Sequence, residues 1–375
     1  MKIVVNAYSA RIGGGQTYLR NLFAHLPARA DLEVLIFAPA SLQLPAHPQV
    51  RRVHAPWPAS NPLARAFWER WVLPGFLRRE QADLLFCPGG VVATRAPANC
   101  KVVGMFRNMI PFDDALVRSM PWGLQRVRNL ILKRVLLRSL SEADLTIFIS
   151  DHARAVIEEL VRIPNPVTIP HGINDSFRCA ADSLPRPELA PPGDYLLYVS
   201  RFDVYKHHRE LVSAFAALPE ALRAGLQLVF LGETDMPEAE PVARLVQELA
   251  LADQVLMPGA VPYATLPAWY QHARANLFAS SCENCPNILL EAMAAGRPVL
   301  SSNVMPMPEF GGSEIAYFSP DDPQETSRAL ARLLSDSDYS EQIAQAALRR
   351  SGLYDWRITA RETWTRLIQL SEQNH

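Results

Sequence analysis

The chain contains no apolar run approaching the 18 or more residues that a membrane-spanning helix needs, so nothing in it reads as a span. Residues 1–7 carry one lysine and an apolar run broken at Asn6, with no cleavage-type stretch before the glycines that follow. They read as a first buried strand, not as a signal peptide. Cysteine is scarce. Positions 87, 100, 179, 282 and 285 form no even, spaced framework, and reduced thiols in a cytoplasmic setting are expected. Cys282 and Cys285 make a Cys-x-x-Cys, but no second Cys or His pair lies at ligand spacing nearby, so packing around the loop is its expected job and no metal site is expected. Net charge is also nearly absent, at −1.

That balance hides a division. Residues 1–172 hold 21 Lys plus Arg against 12 Asp plus Glu, a net +9, and the other 203 residues hold 16 against 26, a net −10. The first half is therefore expected to meet something anionic. The helix expected over 121–140 concentrates this charge in Arg126, Arg128, Lys133, Arg134 and Arg138, with no acid until Glu142. An anionic bilayer surface and a plain solvated face both fit it. No nucleic-acid partner is expected.

At 375 residues, with 49% apolar and 20% charged side chains, the chain suits two ordinary soluble domains. Strands are expected at 2–7, 33–38, 83–87, 101–106 and 145–150, with helices at 17–26, 67–79 and 121–140 between them. Such alternation predicts a parallel sheet covered on both faces. Residues 174–194 lose periodicity and gather Pro185, Pro187, Pro191, Pro192 and Gly193, which predicts a linker. Alternation resumes with strands at 195–200, 227–232, 254–257 and 276–279 and helices from 207, at 241–250 and at 266–273. The fold class is thus α/β, with two Rossmann-like doubly wound domains at 1–173 and 195–353 facing across a crevice. Ligands of such folds bind at the carboxyl ends of the strands. A last helix at 354–375 carries Trp356, Ile358, Trp364 and Leu367.

The richest stretch is 280–298, a strand–loop–helix unit. Pro286 suits a first helical position, and helical spacing of Ile288, Leu289, Ala292 and Met293 runs until Gly296 and Pro298 stop it. The first-turn N–H groups, around Asn287 and Ile288, have no partner within the helix and favour an anion. Glu283 in the loop and Glu291 in the helix have seven residues between them. Taken alone, they read as a solvated loop charge and a surface helix residue, because isolated acid pairs are common. Arg201 and Lys206 flank the loop after the strand at 195–200, where two cations can converge on one diphosphate. Gly13, Gly14 and Gly15 follow the first strand. A dinucleotide fingerprint would need glycine where Tyr18 stands and an acid where the second strand ends in Ala38-Pro39, so an NAD-type site is not expected.

Glu283, the seven residues after it, and Glu291-Ala292-Met293-Ala294-Ala295-Gly296-Arg297-Pro298-Val299 closely resemble the signature of retaining GT-B glycosyltransferases of the group 1 family. The resemblance implies hexosyl transfer from a nucleotide-diphosphate sugar to a hydroxyl of a glycan or lipid-linked acceptor, of the kind used for bacterial O-antigen or capsule. It implies neither metal nor cofactor, and a cytoplasmic enzyme that visits the inner face of the membrane. Catalytic roles fall to Glu283, Arg201 and Lys206. Glu291 would hold the ribose; Gly14 and Gly15 would approach the donor diphosphate and acceptor. Asn284, Asn287 and Ile288 would line the donor site, and Val261, in the Gly259-Ala260-Val261 stretch, would border the nucleobase. Arg107 and Asn108 stand where relatives carry a pair such as His-Asp that touches the sugar. His171 stands where asparagine is usual, and His207 follows the lysine where a small residue is common. In the family the terminal helix crosses back onto the first domain. A nucleotide-sugar epimerase on the same architecture and a non-catalytic nucleotide-sugar-binding protein remain alternatives.

Overall fold

The structure is a computed structural model that describes residues 1–11, 13–55, 57–59, 61–178 and 183–373. The chain divides into two compact bodies, Met1–Gly172 with Asp355–His375, and Ile173–Tyr354. The segment expected as a linker is counted into the second body; its residues 179–182, and with them Cys179, lie outside the described residues, as do 374 and 375 of the last helix.

The first body holds seven parallel strands: β1 (Lys2–Asn6), β2 (Glu33–Phe37), β3 (Val50–Arg52), β4 (Leu84–Cys87), β5 (Lys101–Phe106), β6 (Leu145–Phe148) and β7 (Pro166–Thr168). Their order across the sheet is β3-β2-β1-β4-β5-β6-β7. The inner strands are rich in Val, Ile, Leu and Phe because helices cover both faces, so neither side of the strand needs many polar residues. β3 and β7 lie at the sheet edges with only half-buried or exposed residues. Their three-residue length and missing apolar run are why sequence pattern did not reveal them.

Helix boundaries also differ from expectation. The single helix expected at 67–79 is two, Pro62–Trp71 and Leu73–Glu80, broken at Val72 because Pro74 lacks the N–H that would continue the ladder. The helix expected from 121 starts at Leu124, after Gly123 in an extended conformation. The glycine-rich turn is shorter than expected: Gly13 caps the helix Gly14–Ala24 with φ +64°, and Gly14 and Gly15 already belong to that helix.

The terminal helix Trp356–Glu372 completes the first body. Buried Trp364 donates its indole N–H to the Leu22 carbonyl at 2.9 Å and meets Phe23 edge-to-face at 5.8 Å. Gly172 fits beneath the helix start, where a Cβ would lie 2.1 Å from the Trp356 nitrogen.

The second body holds six parallel strands: β8 (Asp194–Val199), β9 (Leu226–Leu231), β10 (Val255–Gly259), β11 (Ala275–Phe278), β12 (Val299–Ser302) and β13 (Ala316–Phe318), in the order β10-β9-β8-β11-β12-β13. Among the described residues no helix is long and apolar enough to cross a membrane. Removing the Trp364 indole empties a large buried volume and strands the Leu22 carbonyl. Trp364→Ala should therefore cost about 3–5 kcal/mol in urea unfolding; a cost below about 1 kcal/mol would show that the terminal helix does not support the first body.

Candidate functional site

In the second sheet β8 and β11 are neighbours, with Leu196 beside Ala275 and Leu197 beside Asn276. Chain order reverses here, so the loops leaving the two strands diverge and open a site at their carboxyl ends. The loop after β8 ends in a 3-10 turn, Val204–Lys206, and the loop after β11 carries Glu283. Their charged side chains meet: the Lys206 Nζ donates to Glu283 Oε1 at 2.5 Å. The lysine side chain is only 8% exposed and the glutamate 18%. Rings of Tyr205 and Phe278 lie 5.3 and 5.5 Å from the ammonium and favour a cation there.

A second layer holds the two loops in register. The Ser281 N–H donates to the Tyr205 carbonyl at 2.9 Å, and buried Tyr198 donates its hydroxyl to the Lys206 carbonyl at 3.1 Å. His207 has φ +53°, a conformation that favours glycine, and its Nε2 sits 2.9 Å from Ser281 Oγ. Its Nδ1 faces Glu210 and Asp321 at 3.8 and 3.7 Å. The histidine thus spends backbone strain to tie the lysine loop to the glutamate loop. His208, beneath it, stacks on Phe202 at 4.3 Å; burial, then the Lys206 and His207 charges, lower its pKa to about 3 and keep it neutral.

Arg201 stands apart from this pair. Half-exposed, it points to Glu233 at 3.5 Å and Asp203 at 3.9 Å, so the two cations end on different carboxylates instead of converging. Each has taken the acid nearest to it.

The helix after the loop spans Asn287–Ala294, and Pro286 is its capping residue, one place earlier than expected. Glu291 is its fifth residue and is buried, not solvated. Burial raises its pKa to about 7, opposed by a hydrogen bond from the Tyr263 hydroxyl to Oε1 at 2.6 Å. Tyr263 also accepts from Asn174 Nδ2 at 3.1 Å. It lies on the 3-10 turn after β10, two residues beyond half-buried Val261. Tyr263 was missed in the sequence because the 257–263 stretch invites a backbone reading; its phenol reaches Glu291 only through the sheet's topology. Asn284 is buried between Cys282 and Cys285, both buried thiols, and the Cys285 Sγ lies 3.6 Å from Asn287 Oδ1. Asn287 and half-buried Ile288 open the helix. Among the described residues no group of three His, Cys, Asp or Glu side chains is placed to hold a metal.

In the first body, Gly15 and Arg107 come together. A Cβ on Gly15 would stand 3.2 Å from Arg107 Nη1, so the glycine admits the guanidinium, which lies 5.7 Å from the Tyr18 ring. Tyr18 stacks on buried His171 at 5.4 Å, and His171 meets Trp356 at 5.2 Å. Asn108 is exposed and its Oδ1 accepts from the Ile110 N–H at 3.2 Å, a local turn contact.

The sequence model of the glycosyl transferases group 1 family matches residues 184–350, and that of glycosyltransferase family 4 matches 12–177. The chain belongs to the group 1 glycosyltransferases. A serotype-specific mannosyltransferase of Escherichia coli is 28% identical over 186 residues, 48% of this chain and 23% of its own. This group 1 chain thus spans under a quarter of that relative's length. The O-antigen chain mannosyltransferase B of Escherichia coli is 26% identical over 268 residues, 68% of this chain and 69% of its own. Among solved structures, sucrose-phosphate synthase from Thermosynechococcus elongatus superposes with a TM-score of 0.75 at 20% identity, over 99% of both chains. The Anabaena protein HepE, solved with UDP and glucose, superposes with a TM-score of 0.73 at 18% identity, over 98% of this chain and 99% of its own. The fold is GT-B.

Two outcomes follow for this group 1 chain. Because folding raises the Glu291 pKa from 4.5 to about 7, the native state keeps a proton that the unfolded chain has released. The Glu291 contribution to stability is therefore full below pH 4.5 and is lost as pH rises through about 7, on the order of 3 kcal/mol in all. Glu291→Gln should remove that slope, so its melting temperature should gain on the parent at pH 8 and not at pH 4; parallel pH profiles would refute the burial. For His207→Gly, relief of about 1 kcal/mol of backbone strain offsets a lost hydrogen bond of about 1 kcal/mol. Global stability should change little while hydrogen exchange at 281–285 speeds up, and unchanged exchange would show that His207 does not hold the loop.

Proposed function

We propose that the chain is a retaining hexosyltransferase that moves a sugar from a nucleotide-diphosphate donor to a hydroxyl of a glycan or lipid-linked acceptor. The observation that carries this reading is the pair of buried Lys206 with half-buried Glu283 at the carboxyl ends of β8 and β11, followed eight residues on by buried Glu291. Breaking the bond between sugar and phosphate develops negative charge on the leaving diphosphate and positive charge on the sugar. A site that already holds an ammonium and N–H groups there stabilises that separation without reorganising.

In this reading Lys206 is the main cation for the leaving diphosphate, with Arg201 and the helix N–H groups at Asn287 and Ile288 in support. Glu283 leaves the lysine to grip donor-sugar hydroxyls. Glu291 accepts from the ribose in place of Tyr263, and the departing phosphate oxygen takes the acceptor's proton. The reaction is written without a metal because the cations take the part a divalent ion would play. The two Escherichia coli relatives are named as mannosyltransferases and the Anabaena structure holds UDP and glucose, which makes mannosyl and glucosyl donors the first to try. The O-antigen role of one relative supports surface polysaccharide assembly as the setting.

The test is nucleotide release from GDP-mannose and UDP-glucose with and without a lipid-linked saccharide, together with the anomeric configuration of any product. Acceptor-dependent release and a product of the donor's own anomeric configuration are expected, and Lys206→Ala should slow turnover roughly 100- to 1000-fold. Release of free nucleotide with an altered sugar and no need of acceptor would identify an epimerase. Tight nucleotide binding without turnover would identify a non-catalytic binding protein.

A further inference from the structure

A cavity of about 620 Å³ opens in the first body beside the edge strand β7, lined also by the helix Asp151–Glu158 and the terminal helix Trp356–Glu372. Pro166, Val167, Thr168 and Ile169 all line it. Side chains of a strand alternate between the two faces of its sheet, so four consecutive lining residues place the cavity along the edge. The Thr146 N–H donates to the Asn165 carbonyl at 3.0 Å and the Ile169 N–H to the Phe148 carbonyl at 2.8 Å, so residues 165, 167 and 169 bond to β6. Pro166 and Thr168 therefore turn their backbone groups away from the sheet. Proline has no N–H, which leaves Thr168 as the single outward donor of this strand.

The terminal helix gives this cavity its polar face. Ala360, Trp364 and Leu367 are buried on the packing side, whereas exposed Arg361, Thr365, Arg366 and Gln369 line the cavity. Charges at both ends of the helix are paired: Arg357 lies 3.1 Å from Asp355, and Glu372 lies 2.8 Å from Arg29. Between them, the Arg361 and Arg366 side chains have no hydrogen-bond or ion-pair partner among the described residues. Glu362, the one acid among the lining residues, stands four places before Arg366, the spacing at which such pairs form on a helix, and does not pair with it. The helix Asp151–Glu158 contributes half-buried Arg154, held by Glu158 at 3.2 Å. Three guanidiniums from two helices thus line one cavity, and two of them have no acid to answer them.

We propose that this cavity binds a small phosphorylated ligand of the size of a hexose phosphate. Guanidinium forks match phosphate oxygens, and guanidiniums from separate elements suit a doubly charged anion better than a lone carboxylate. The volume lies in the range of small-molecule sites, and a bare phosphate would leave most of it empty. Thr365 and Gln369 offer neutral hydrogen-bonding groups to the hydroxyls of the organic part. An extended acidic peptide is the poorer occupant. A three-residue edge with proline at one of its two outward positions offers it a single N–H, too little to hold an added strand. All the lining residues belong to the first body, whereas Lys206 and Glu283 belong to the second, so the site is separate from the one proposed for transfer.

Calorimetric titration of glucose 6-phosphate, mannose 6-phosphate and inorganic phosphate into the whole chain tests the site. No transfer is involved, so the outcome is separate from that of the transfer reading. A hexose phosphate should bind more tightly than inorganic phosphate and should slow hydrogen exchange of the Thr168 N–H. Arg361→Ser with Arg366→Ser should weaken its binding roughly 100-fold. The ligand-free melting temperature of that variant should stay near the parent's, because neither side chain has a partner to lose. Lys206→Ala should bind the hexose phosphate as the parent does. No binding of either hexose phosphate, equal affinity for inorganic phosphate, or a double variant that binds like the parent would overturn the proposal. So would loss of binding in Lys206→Ala, which would put the phosphate in the second body, or saturable binding of a polyglutamate peptide in place of hexose phosphate, which would make the edge a peptide site.

Discussion

A lysine ammonium held 2.5 Å from a glutamate carboxylate, both nearly out of water, is the constraint around which the second body is arranged. Taking two charges from water costs several kcal/mol each, and their attraction repays this only when the geometry is held. Holding it takes Tyr198 under the Lys206 carbonyl, Ser281 on the Tyr205 carbonyl, and a histidine bent into a glycine conformation to bridge the loops. Buried pairs of this kind are seldom the cheapest way to stabilise a fold. The arrangement makes better sense as charge kept ready for an anion that enters where β8 and β11 part.

The two acids with seven residues between them are treated in opposite ways. Glu283 rests against an ammonium, whereas Glu291 is buried against a phenol and keeps its proton to about pH 7. Splitting a carboxylate pair by environment lets one chemical type serve two tasks. In the proposed reaction one acid works at the sugar and the other at the ribose. The Tyr263 hydroxyl occupies Glu291 much as a ribose hydroxyl would.

Much of this was legible in the sequence. The alternating apolar strands announced two parallel sheets, and the acids, the glycine stop and Pro298 announced the central unit. Edge strands β3 and β7 were not legible, since strands of three residues without a buried run carry no periodic signal. Nor was the break at Val72, where Pro74 acts one turn inside an otherwise continuous apolar pattern. At the site, the pairing of Lys206 with Glu283 across 77 positions and of Tyr263 with Glu291 across 28 depends on strand order, which local pattern does not encode. The same limit explains Arg201: its spacing from Lys206 suggested convergence, yet Glu233, reached through β9, draws it away.

The central claim is that Lys206 is kept for a diphosphate and that Glu283 occupies it meanwhile. Calorimetric titration of UDP and GDP into the parent, Glu283→Gln, Lys206→Ala and the double variant tests this most directly. Neutralising the glutamate should free the lysine and tighten diphosphate binding, while removing the lysine should weaken it and erase the effect of the glutamate substitution. Equal affinities in all four proteins would contradict the account.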